Sequence, residues 1–136
     1  MLKRDSLTAQ MQQLSHTLAK VKRLIVDGEW VEANQAAESV LAEYYGTGVA
    51  AILETPADVF RQQLAQQRFA AEELARLADF IDLSAQLHAD PDSQRSLWQK
   101  VILLYDILEQ EHQTVSFDHI MRRTELSSLM GSSEGE

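Results

Sequence analysis

The chain has 136 residues, 45% of them apolar, with only 5 Gly and 2 Pro. That length suits one domain with a real core, the apolar content is too high for disorder, and so few turn residues argue against an all-β fold. A formal charge of −9 argues against nucleic acid or an anionic membrane as partner, and the absence of cysteine excludes disulfides, thiol catalysis and zinc–thiolate sites.

The first predicted helix runs from about Asp5 to Asp27, where Leu7, Met11, Leu14, Leu18, Val21 and Ile25 recur in steps of four and three. Such a seam packs against a neighbouring helix of the same chain or, alternatively, builds a homodimer. Gly28 supplies the left-handed residue that ends it. A second helix follows from about Glu29 to Tyr45, with Trp30, Ala33, Ala37, Leu41 and Tyr44 on one face and Trp30 placed to plug back onto the first helix. Gly46-Thr47-Gly48 stops it.

Val49–Glu54 reads as one helical turn. Thr55-Pro56-Ala57-Asp58 reads as a restart, with Thr55 as N-cap and Pro56 at the first helical position of a short helix ending near Gln67. A helix from about Phe69 to His88 is apolar on more than one face, so it packs on more than one side. Asp90-Pro91-Asp92-Ser93 breaks it and caps the next, from about Ser93 to Gln113. There Asp106 is the one charged residue between Val101 and Leu108, and a solvent-facing position is the expectation, with pairing to a donor as the alternative. Ser116 caps a last helix, about Phe117 to Leu129, which Phe117, Ile120, Met121 and Thr124 are expected to dock. Arg122 and Arg123 form a local basic pair. Residues 131–136 are expected to be a disordered polar tail. The whole is one all-α domain over residues 1–130, five main helices and a short segment, with a closed bundle as the alternative to stacked hairpins.

Gly28, Trp30, Glu32, Ala33 and Leu41 match the second-helix pattern of tetratricopeptide repeats in type and spacing, and residues 7–45 resemble such a hairpin. In that family the glycine makes the turn, the aromatic packs on the first helix and the small residue sits where helices touch. The chain is also similar to a family of small uncharacterised bacterial helical proteins, through its opening Leu2-Lys3-Arg4-Asp5, its first hairpin and Val115-Ser116-Phe117-Asp118. The repeat resemblance implies antiparallel hairpins stacked side by side and a groove for a protein or peptide.

No residue set carries a catalytic signature. Glu109-Gln110-Glu111-His112 puts a carboxylate and an imidazole on one helix face, but a di-iron bundle needs a second Glu-x-x-His, and none exists. Asp79 and Asp82 read as solvated surface. Neither metal nor cofactor is expected. The functional expectation is a non-catalytic adaptor or scaffold, with Gln13, His16, Lys20, Arg23 and Tyr45 as partner-binding candidates. The alternatives are a homo-oligomer packed through the first helix and a small-ligand carrier with a pocket around Trp98, Tyr105 and Asp106. Residues 1–13 hold no apolar signal core and Val101–Tyr105 is too short an apolar run to span a bilayer, so the expected location is cytoplasmic.

Overall fold

The computed structural model describes residues 2–134, and side-chain surroundings for residues 6–131. Seven helices and no strand occur among the described residues: α1 (Leu2–Val26), α2 (Trp30–Glu43), α3 (Val49–Glu54), α4 (Ala57–Gln67), α5 (Ala71–Gln86), α6 (Pro91–His112) and α7 (Phe117–Glu134). The fold is all-α. No helix is long and apolar enough to cross a membrane.

α1 and α2 form the first hairpin. Gly28 turns the chain at φ +77, and the joint closes with two hydrogen bonds, from Glu29 N–H to the Leu24 carbonyl at 2.8 Å and from Gly28 N–H to the Ile25 carbonyl at 3.1 Å. This is the Schellman arrangement expected of a glycine just past a helix end. Met11, Leu14, Leu18 and Val21 of the seam are buried, facing Ala33, Ala37 and Leu41 of α2, each of which is 0% exposed. The seam is therefore covered within one chain. Trp30 does not plug the hairpin: it is 56% exposed, because the first residue of α2 lies beyond the end of α1.

α5 and α6 form the second and larger hairpin, and α5 also packs on both α1 and α2. This explains its several apolar faces: Leu74, Leu77, Ala78, Phe80, Ile81, Leu83 and Ala85 are all buried. The Ser84 hydroxyl is buried there with no hydrogen-bond partner. α6 begins as the Asp90–Ser93 pattern suggests, with Pro91 at its first position and Asp90 accepting from the Ser93 N–H at 3.1 Å. Short α3 and α4 lie on α6, burying Val49, Ile52, Phe60 and Leu64. Thr55 does not cap α4; its hydroxyl turns back to the Ala51 carbonyl at 2.6 Å, and Pro56 takes the cap position.

The second hairpin is tied to the end of the first through Glu73. Tyr44 donates to its carboxylate at 2.6 Å, Tyr45 donates to its backbone carbonyl at 2.6 Å, and the Ala70 N–H donates to its other oxygen at 2.8 Å. Tyr45 also meets Phe69 edge to face, ring centroids 5.4 Å apart. α7 runs to Glu134, beyond the expected Leu129, so the helix takes in residues 131–134 of the segment expected to be a tail; residues 135 and 136 lie outside the described residues.

Candidate functional site

An open cleft of about 870 Å³ lies between α1, α5 and α7, with Leu18, Leu83 and Tyr105 among its lining. A second open stretch of about 720 Å³ continues between α1 and the start of α5, sharing Glu72 and Arg76 with the first. Together they form one groove along the α1–α5 boundary. On the α1 side it is lined by Thr8, Gln12, Ser15, His16 and Lys22.

The wall formed by α7 is built from charge. Arg122 grips Asp82 with two bonds, Nε to Oδ2 at 2.6 Å and the terminal nitrogen to Oδ1 at 2.8 Å. Asp82 is only 7% exposed, and it also accepts from the Trp98 indole at 3.2 Å. Bonding to Asp82 raises the Arg122 guanidinium above its ordinary pKa. Arg123 reaches Asp106 at 2.5 Å and Glu109 at 3.2 Å on α6. His119 stacks on Tyr105, centroids 4.5 Å apart, and approaches Asp79 at 3.4 Å, while Arg76 holds the other oxygen of Asp79 at 2.6 Å. Burial pushes the Tyr105 hydroxyl well above the ordinary tyrosine pKa. Asp79, Asp82, Asp106 and Glu109 are thus each committed to a structural partner, and no group of three or more potential metal ligands occurs among the described residues.

Several expectations are corrected here. Asp79 and Asp82 are ion-pair centres and not solvated surface, while Asp106 meets both expectations, its side chain 39% exposed and paired with Arg123. Phe117, Ile120 and Met121 do not dock α7; they are 73%, 52% and 51% exposed, while His119, Arg122, Arg123 and the fully buried Leu126 face the protein. The two sets lie on opposite sides of one helix, since 100° per residue puts residue 126 half a turn from residue 117. Trp98, Tyr105 and Asp106 do not converge on one pocket: Tyr105 lines the open cleft, and the other two are tied to Asp82 and Arg123.

Of the residues singled out on α1, His16 lines the groove. Gln13, Lys20 and Arg23 are exposed and are not among the residues that line it. Tyr45 is 4% exposed, so it anchors the core and is not available to a partner; Tyr44, half-buried, is the more accessible of the two. Burial, and for Tyr44 also the bond to Glu73, raises both hydroxyls above the ordinary tyrosine range. The pairs of Asp82 with Arg122 and of Asp79 with His119 were missed because the partners are 40 apart in sequence, and those of Arg123 with Asp106 and Glu109 because they lie on different helices, which no local period reveals. Comparison with family models, curated proteins and solved structures returned no match.

Proposed function

We propose that this protein is a non-catalytic interaction module that holds a protein or peptide segment along the groove between α1 and α5. The observation that carries this reading is the groove itself: two continuous open stretches, lined by both cationic and anionic side chains over a strip of Met11, Leu18, Ala75 and Leu83. Mixed polar walls over a narrow apolar floor suit an extended or helical segment better than a small enclosed substrate. Contact of α5 with both helices of the first hairpin supports the tetratricopeptide-like reading, in which such a groove is the binding face. Commitment of Asp79, Asp82, Asp106 and His119 to structural partners supports binding over catalysis, because a general acid or base needs a free, substrate-facing position. The test is photo-crosslinking from Ser15 and Glu72, both at the groove, against a control probe at exposed Gln62 on α4. Partner capture at the groove positions alone supports the reading, and equal labelling at all three overturns it.

A second reading is a homo-oligomer joined by the outward stripe of α7. It is favoured by Phe117, Ile120 and Met121, each more than half exposed at helical spacing, with exposed Val115 just before the helix. Light scattering on the wild type and on Phe117→Glu decides it: a dimer that the substitution dissociates is the expected result, and a wild-type monomer at all concentrations removes the idea.

A further inference from the structure

We propose that the face of α5 and α6 beneath α7 is a receptor for a basic helical segment of a partner protein, and that α7 is its displaceable resident. Four carboxylates line this face, Asp79 and Asp82 on α5 with Asp106 and Glu109 on α6, beside the rings of Trp98 and Tyr105. α7 meets them with three donors, His119, Arg122 and Arg123. Among its residues with described side chains, Leu126 alone is fully buried.

An amphipathic helix normally turns its apolar stripe inward. α7 does the reverse: Phe117, Ile120 and Met121 face solvent while its cations face the protein. The wet stripe does nothing to hold the helix, so beyond Leu126 and the partly buried Met130 it is fastened by its cations. What its departure strands is Asp82. With α7 in place Asp82 is 7% exposed and also holds the Trp98 N–H; once Arg122 leaves, both of its oxygens face the opened surface as an anionic site. A guanidinium suits it, gripping both oxygens of Asp82 and lying against aromatic rings. The chain's net charge of −9 adds long-range attraction for a cationic segment.

The contacts also specify the visitor. Arg122, Arg123 and Leu126 occupy one helical face, so the fitting segment is a helix with the pattern Arg-Arg-x-x-Leu. The tether permits exchange. α7 is joined to α6 through Gln113 and residues 114–116, and Gln113 sits at φ 50, a left-handed conformation that costs a non-glycine residue energy. Because the tether holds α7 at an effective concentration of order millimolar, a free segment competes well only when α7 is loosened. This inference does not depend on the α1–α5 groove binding anything.

The test uses a fluorescent peptide of residues 114–131 from this chain as probe, titrated by anisotropy into the full-length protein. Leu126→Ala loosens α7 without touching the carboxylates. The expected result is binding at least about tenfold tighter to Leu126→Ala than to wild type. A peptide with Arg122→Gln and Arg123→Gln loses that gain, and added salt weakens the native peptide. A folded Leu126→Ala protein that binds neither peptide, or binds both equally, overturns the proposal. So does a Leu126→Ala dimer by light scattering that excludes the peptide, since the occupant is then a second copy. If Leu126→Ala fails to fold, amide exchange on the wild type decides. α7 exchanging much faster than α5 and α6 supports a displaceable helix, and α7 opening only with the whole molecule overturns it.

Discussion

Arg122 and Asp82, 40 residues apart in sequence, meet in a two-bonded fork at 2.6 and 2.8 Å and fasten the last helix to the centre of the molecule. Removing either partner leaves the other poorly solvated. Asp82→Ala or Arg122→Ala is expected to cost about 3 kcal/mol by urea unfolding. Arg61→Ala, which breaks the pair with Glu111 at a site where both side chains are well exposed, is expected to cost under about 1 kcal/mol. Equal losses at the two sites would contradict the distinction.

Gln113 ends α6 in the left-handed region at φ 50. Glycine adopts that conformation without a Cβ clash but loses more freedom on folding. Gln113→Gly is therefore expected to raise stability by about 0.5–1 kcal/mol, visible as a higher denaturation midpoint with unchanged slope.

The buried hydroxyl of Ser84 makes no hydrogen bond. Ser84→Ala removes an unsatisfied polar atom and places a better helix former in α5, so a gain of about 1 kcal/mol is expected. A loss in calorimetry would mean that the hydroxyl has a partner in solution.

Alkaline pH acts on two sets of groups in opposite directions. Burial lowers the pKa of Lys100, so as pH rises the folded chain releases that proton before the unfolded chain does, and stability climbs toward the ordinary lysine value of about 10.4. Tyr44, Tyr45 and Tyr105 have raised values, so their contribution is intact below the ordinary tyrosine value of about 10 and is lost as pH rises beyond it. Lys100→Met is expected to be more stable than wild type by about 1 kcal/mol at neutral pH, with the advantage shrinking toward pH ~10. Above that, both proteins unfold together with tyrosinate absorbance. Melting temperatures across the pH series check the sign.

Much of the helical layout was legible along the chain because local rules govern it. Gly28 needed a left-handed turn and has one, Val49–Glu54 is a single short helix, and the α1 seam is buried as its spacing implies. What failed was side choice. On α7 the apolar period picked Phe117, Ile120 and Met121, yet docking is decided by carboxylates on α5 and α6 that wait for Arg122 and Arg123. Asp82 looked solvated for the same reason, since its partner Arg122 is set by tertiary contact; Asp79 differs, because Arg76 three residues earlier on α5 was a legible partner and only His119 was not. Trp30 failed differently, because its spacing fits the buried face of α2 while its place at the helix start puts it beyond α1.

The Tyr45–Phe69 ring contact, with the tyrosine bonds to Glu73, pinches together the two ends of the α3–α4 excursion. Residues 46–69, which pack along α6, thus begin and end at nearly the same point, like a side chapel off a nave. The two hairpins meet directly, through the contacts of α5 with α1 and α2 as well as at the pinch. A guest domain spliced between Thr55 and Ala57, where the chain is irregular and partly exposed, would inherit two closely spaced attachment points and leave the hairpin geometry as it is.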